Sequence, residues 1–400
     1  MIRIVVFSYC KCGGWLTCWN VQICCNTDIA WTSEEPISRN VVEVTCTKSG
    51  ETDEKNLSTY MREEMHMDVV ATIIILFSLT LLARPAYGSA GDRHHIYLSC
   101  VKSCILKYGC PRKFDESGWI FSECFRCRYK CTWKTVKYFN DILHLSVPQF
   151  YGKWPFLAIW IPFIMPIPIQ EFASVVFSIL NLFTTFSMYR TVKRLRSSNR
   201  LKIVWTAYSV IGIIMWTCSA IFHWADFWLT EYLDYFTACA FIVFALFVSI
   251  SFTIKSLQNC YRGRILWSFL FITLLYLYTN HIYNLTHHIL QINFDYGYNM
   301  KMCIACSLLT AIIYCVWLVQ QWKLRDHSGR RSLLCLTVMV IWGLLSVLLE
   351  VLDFVPIYWI IDSHSLFHLA TVPLPLLMTR FILLENAHEM QQQIGNIKQT

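Results

Sequence analysis

Seven apolar stretches, each about 20 residues long, constrain this chain more than any other feature. They run over about 168–189, 203–223, 234–254, 265–285, 302–322, 333–353 and 364–384. Each is near the roughly 20 residues an α-helix needs to cross the hydrocarbon of a bilayer. Backbone polar groups in lipid must be satisfied within their own segment, so runs of this kind are expected to be helices. Composition agrees, with 56% of the 400 residues hydrophobic and 15% charged, where soluble domains carry about 25% charged residues.

The net charge of +8 does not describe a nucleic-acid surface, because the basic residues cluster in short loops. Arg190, Lys193, Arg194, Arg196, Arg200 and Lys202 follow the first run; Lys255, Arg262 and Arg264 follow the third; Lys323, Arg325, Arg330 and Arg331 follow the fifth. The intervening loops hold Asp226, Glu231, Asp295 and Asp362 and few bases. Excess Lys and Arg mark cytoplasmic loops, which places the N-terminal side of the first run in the lumen and the C-terminus in the cytosol. The expected fold is an all-α membrane protein, a seven-transmembrane helix bundle over 156–385 with a Cys-rich luminal N-terminal segment and a cytosolic tail over 386–400. Tryptophans and tyrosines such as Trp154, Trp160, Trp224, Trp228, Tyr358 and Trp359 suit an aromatic belt at the interfaces.

Residues 1–64 differ from the rest: six irregularly spaced cysteines precede a polar stretch over 48–64. They read as a disordered or non-native leader. Met65 and Met67 offer a second start, and 69–83 is an apolar run of signal-peptide length followed by Ala86-Tyr87-Gly88 and Gly88-Ser89-Ala90, either of which suits a signal peptidase, so 65–90 is assigned as a signal peptide. A retained signal anchor is the alternative, since 61–68 carries more acid than base. The luminal segment, 91–155, holds Cys100, Cys104, Cys110, Cys124, Cys127 and Cys131. An even, closely spaced set in an oxidising lumen reads as up to three disulfides, with the pairing left open. Zinc at Cys124-x-x-Cys127 is the rival, weakened by the lack of a second Cys-x-x-Cys pair.

Chemistry concentrates between Ser219 and Asp234 and at His364-x-x-x-His368. Ser219 and His223 are four apart, as are His364 and His368, so each pair shares a helix face. Helix alternation puts all five residues at the luminal boundary, at similar depth. Three imidazoles from two helices, with a hydroxyl and a carboxylate beside them, make a metal site with an open position. A lone histidine in such a helix is more often a packing residue, and His-x-x-x-His by itself is weak. Ionisable residues within membrane segments are costly and tend to be functional, and the joint arrangement carries the reading. Asp226 is the second choice for the carboxylate; with Glu231 it is otherwise expected to face solvent, as are His281, His287 and His288. Asn284-Leu285-Thr286 is a luminal glycosylation sequon close to the bilayer. No Gly-x-Ser-x-Gly, phosphate-cradling loop or dinucleotide fingerprint is present.

Ser219-x-x-x-His223, Asp234 and His364-x-x-x-His368 resemble the CREST superfamily of seven-helix membrane hydrolases. Together with the Cys-rich segment, Gly152-Lys153-Trp154-Pro155-Phe156 and Leu229-Thr230-Glu231-x-Leu233-Asp234-Tyr235-Phe236 resemble, within it, the Per1-like post-GPI attachment to proteins factor 3 family, over about 95–385. The resemblance implies a hydrolase of the Golgi or endoplasmic reticulum membrane that removes the sn-2 acyl chain from the GPI anchor of an attached protein. GPI-anchored proteins and membrane lipid would be its substrates. It also implies zinc on His223, His364 and His368, with Ser219 and Asp234 as catalytic partners. The chain departs from the family in its leader and at Phe172, where relatives have proline after the glutamate. Chemically, zinc at such a site lowers the pKa of its water to about 7. Asp234 is expected to take the water proton and Ser219 to donate to the oxyanion. Ser219 as nucleophile is the alternative, disfavoured because every nearby imidazole is committed to the metal. Ceramidase-like amide hydrolysis and a non-catalytic receptor or chaperone of GPI-anchored cargo are the rival functions.

Overall fold

A computed structural model describes residues 89–113, 116–120, 122–160, 167–195, 200–254, 257, 261–289, 296–326, 329–352 and 354–397. The expected leader and signal peptide lie outside these, apart from the last two residues. The described chain is helical, and it begins with a turn over Ala90–Arg93 leading into α1 (His95–Tyr108). After a 3₁₀ turn over Ser117–Ile120 comes α2 (Ser122–Asp141). Cys100 and Cys104 are one turn apart on α1, and Cys127 and Cys131 one turn apart on α2, so each pair forms a row along its helix. The rows meet as nested disulfides, Cys100–Cys131, Cys104–Cys127 and Cys110–Cys124, which make α1 and α2 an antiparallel hairpin. Both cysteines of the zinc alternative are therefore taken up in disulfides. The staples enclose a small core of Tyr97, Val101, Trp119, Val136 and Phe150.

Seven helices, or helix pairs in line, are long and apolar enough to cross a membrane. They are α3 (Phe172–Arg194), α4 (Arg200–Trp224), α5 (Trp228–Thr253), α6 (Tyr261–Ile289), α7 (Tyr296–Leu324), α8 (Arg330–Leu352), and α9 (Ser363–Thr371) continued by α10 (Leu374–Ile397). The first span starts later than hydropathy predicts, because Ile169 is held in a backbone bridge to Ile159. The third starts earlier, at Trp228, where the Thr230 hydroxyl accepts from the Phe227 amide at 3.1 Å and closes the first turn. Asp234 is thus inside α5 rather than at its start. Helix α10 runs on through the tail to Ile397.

The seventh span is broken between Thr371 and Leu374, where Pro373 has no amide to give. Val372 turns back on Leu369, and the freed carbonyls find side chains from α9 itself and from neighbouring helices. The His368 carbonyl accepts from Asn181 Nδ2 at 2.7 Å and from the Thr371 hydroxyl at 2.8 Å. The Ala370 carbonyl accepts from Trp342 Nε1 at 2.7 Å. These bonds fix the depth and rotation of α9, the helix that carries two of the predicted histidines.

Helices α3, α4, α5, α7, α8 and the α9–α10 pair form a closed ring, each packed on the next and the last returning to α3. Helix α6 leans on α5 outside that ring, and its span is 11% buried where the others are 28–50% buried. At the ring end away from the head, the core is apolar, with Met188, Val192, Trp205, Phe247, Phe252, Trp317 and Phe381 packed together. Arg325 closes it, donating two bonds of 2.7 Å to the Glu385 carboxylate and a third of 3.0 Å to Ser332. Both side chains of the ion pair are 5% exposed. Arg325→Met strands Glu385 as a buried charge and is expected to cost about 3–5 kcal/mol. Thermal unfolding in detergent would show this, and Arg325→Met/Glu385→Leu is expected to recover most of it.

Candidate metal centre

The head-side end of the ring is polar where the other end is apolar. Helix α3 is clipped to the end of α4 by backbone bonds from Gln170 to Trp224 and from Glu171 to His223. This brings the Glu171 side chain against the His223 ring, and its Oε2 lies 2.6 Å from His223 Nδ1. Asp362 caps α9, accepting from the Ser365 amide at 2.8 Å, so that His364 lies in its first turn. His364 Nδ1 meets Glu350 Oε2 of α8 at 2.8 Å. One turn deeper, His368 Nδ1 lies 2.9 Å from the Ser178 hydroxyl of α3.

A carboxylate accepts and does not donate, so the Nδ1 atoms of His223 and His364 carry the protons, and in the neutral rings their Nε2 atoms present lone pairs. Suitable donor atoms of His223, His364 and His368 lie within 4.8 Å of one another, and the Nε2 atoms of His223 and His364 are 3.3 Å apart. At that distance the two nitrogens either share a proton in an N–H···N bond or converge on one cation. Tetrahedral zinc, with Zn–N bonds of about 2.0–2.1 Å, separates neighbouring ligand nitrogens by about 3.3 Å. Outer acceptors on the non-ligating nitrogens are also what metal-binding histidines need to hold tautomer and ring orientation. The residues fit zinc. His223 and His368 are buried, whereas the His364 side chain is 35% exposed and forms the open side of the cluster.

Ser219 lies beneath His223 on the same face of α4, its hydroxyl 3.3 Å from that of Ser178. Asp234 is half-buried on α5, within hydrogen-bonding reach of Ser219 and close to His223 and His364. All five sequence-derived site residues therefore gather at one place.

The charge around them was not foreseen. Lys153 donates to Glu171 Oε1 at 2.7 Å and lies 3.0 Å from Asp226 Oδ2. Burial opposes the Glu171 charge, but the Lys153 ammonium and the His223 imidazole outweigh it and hold the carboxyl well below the usual range. Burial likewise opposes the Lys153 charge, and Asp226 and Glu171 together raise its pKa. Asp226 is therefore half of an ion pair, not a solvated loop residue. His281 is also buried, inside α6, with Nε2 2.9 Å from Asn299 Oδ1, so it is not a loop histidine. The side chains of His287 and His288 lie outside the described residues. Asn284 is half-buried within α6, so its sequon is helical.

Glu171, Glu350 and Ser178, which hold the three imidazoles, were missed. None has a spacing relation to its partner that a sequence would reveal. The acid just before an apolar run, Glu171, was the one legible hint. Phe172, the departure from the family pattern, follows it as the first residue of α3 and is half-exposed.

The Per1-like family model matches residues 116–386. The chain is 34% identical over 319 residues to the Mus musculus protein named GPI-specific phospholipase A2-like PGAP3, covering 77% of this chain and 92% of the relative. The Danio rerio protein of the same name is 30% identical over 333 residues, covering 80% and 97%. The Schizosaccharomyces pombe Protein PER1 homolog is 30% identical over 336 residues, covering 82% and 96%. The match takes in the disulfide hairpin from α2 onward, the first six spans, the seventh as far as Asn386 and every residue of the histidine cluster, and the chain belongs to the Per1-like family.

Proposed function

We propose that this protein remodels GPI anchors, removing the sn-2 fatty acyl chain from GPI-anchored proteins by zinc-dependent ester hydrolysis. The observation that carries the reading is the convergence of three imidazoles, two of them oriented by carboxylates, beside Ser219 and Asp234 at one end of a membrane-spanning ring. The relatives' names support the substrate class. The work would be done in the Golgi or endoplasmic reticulum membrane, with the disulfide-bonded head in the lumen, where disulfides persist, and the C-terminus in the cytosol.

Zinc on His223, His364 and His368 would lower the pKa of a water to about 7 and polarise the ester carbonyl. Asp234 then takes the proton of the attacking water on its carboxylate and returns it to the leaving alcohol. In the resting site the Ser219 hydroxyl is within reach of Asp234. Once Asp234 holds a proton it no longer needs that donor, and Ser219 turns to the developing oxyanion. Ser178 keeps Ser219 and His368 in register throughout, through its contacts of 3.3 and 2.9 Å. A site at the membrane boundary meets an ester whose chains lie in the bilayer and whose head lies in water.

Lipid analysis of a GPI-anchored reporter in cells lacking this protein tests the reading. Wild type is expected to restore loss of the sn-2 chain, and His364→Ala is not. Equal rescue would make the cluster structural and favour a receptor or cargo chaperone. Failure of both, with accumulation of ceramide, would favour the amidase.

A further inference from the structure

Lys153 belongs to the head segment, yet its ammonium lies among the groups that hold His223. It donates to Glu171 Oε1 at 2.7 Å, while the other oxygen of that carboxylate faces His223 Nδ1 at 2.6 Å. Asp226 flanks the ammonium at 3.0 Å and the Phe222 ring centroid lies 3.8 Å from it. The Lys153 side chain is 26% exposed, so water is largely replaced by these fixed partners.

The backbone that presents Lys153 is a tight turn built into the head. Phe150 and Lys153 exchange both backbone hydrogen bonds, at 2.7 and 3.0 Å. The two residues between them have positive φ, Tyr151 at 51° and Gly152 at 81°, as a type I′ turn requires. Glycine takes this conformation freely and tyrosine does not. The turn is held because both of its amides find acceptors before α1: Tyr151 donates to Asp92 Oδ1 at 3.0 Å and Gly152 to the Ser89 hydroxyl at 2.7 Å. Phe150 is buried against Tyr97 in the head core. On the neighbouring strand of chain, a Cβ at Gly91 would fall 2.6 Å from the Gln149 carbonyl oxygen, so the approach is close. The disulfide-stapled head thus places one ammonium rigidly beside the outer carboxylate of the metal centre.

We infer that Lys153 is a positioning residue for the metal centre: it locks Glu171 in the rotamer that keeps His223 Nε2 turned toward the metal, and so couples the integrity of the head to the site. The inference rests on reading the three imidazoles as a metal centre. Without the ammonium, Glu171 faces Asp226 across the gap and is driven to swing away from His223. The compact point charge of lysine suits a cleft between two carboxylates better than the broad fork of arginine.

The test uses full-length protein in detergent, with zinc affinity measured by competition against a chelating dye. Lys153→Met is expected to bind zinc about 10–100-fold more weakly, the range for loss of an outer partner, with the three disulfides intact. Lys153→Arg is expected to recover part of that loss; no recovery would mean packing rather than charge, and would overturn the inference. Lys153→Met/Glu171→Gln is expected to be no weaker than Glu171→Gln alone, because both changes act through one carboxylate. Wild-type affinity in Lys153→Met, or additive losses in the double variant, would overturn it. Should Lys153→Met not fold, Lys153→Met/Asp226→Asn relieves the facing carboxylates and carries the same comparison. His364→Ala separates the two readings. If it holds zinc as tightly as wild type, the metal centre fails and this inference with it. If it loses zinc while Lys153→Met does not, only the positioning role fails.

Discussion

His368→Ala is expected to abolish both zinc binding and release of the acyl chain while leaving the fold in place. Metal analysis should fall from about one zinc per chain to background. Hydrolysis should drop by more than about 100-fold, since losing only an outer partner of a ligand already costs about 10–100-fold. The fold survives for specific reasons. Asn181 holds α9 through the His368 carbonyl, which alanine keeps. Trp342 holds it through the Ala370 carbonyl, and alanine is the strongest helix former. Ser178 loses its imidazole partner and retains Ser219. Unfolding temperature should therefore match that of wild type stripped of metal by a chelator. A variant with full zinc content and normal turnover would remove His368 from the ligand set; one without zinc but with normal turnover would remove the metal from the mechanism.

Ser219→Ala should leave zinc bound and lower turnover by about 10²–10³-fold, the cost of losing one oxyanion donor. The nucleophile alternative predicts loss down to the uncatalysed rate, and wild type trapped in a single turnover would carry the acyl chain on Ser219. The structure alters the argument between these routes. Every imidazole is indeed engaged, but the Asp234 carboxylate lies within reach of Ser219 and is a base that counting histidines overlooks. Mass spectrometry of the quenched enzyme, read beside the size of the Ser219→Ala defect, decides between them. Zinc content unchanged with activity down about 10²–10³-fold, and no acylated serine, supports the donor.

The seven spans were legible because lipid is a uniform solvent and hydropathy over about 20 residues reports what can sit in it. The two four-residue pairs, Ser219/His223 and His364/His368, were legible because the helix repeat puts such residues on one face whatever the helix packs against. Helix alternation then placed all five site residues at one end. The disulfide pairing, the closed ring with α6 left outside it, and the turn that carries Lys153 were not legible, because each depends on how elements meet. The break at Pro373 interrupts a run that reads as continuous over 364–384, and which side chains take its stranded carbonyls depended on Asn181 of α3 and Trp342 of α8 lying at the right depth. The same holds for the groups that make three histidines a centre. Glu171 is 52 positions from His223, and Ser178 is 190 positions from His368. What a chain segment prefers, to be helical, to lie in lipid, to put two imidazoles on one stripe, is set by its own residues and their periodicity. Which hydrogen-bond acceptor stands behind each imidazole is set by the rotation and register of whole helices, a property of their packing that exists only once the ring is closed.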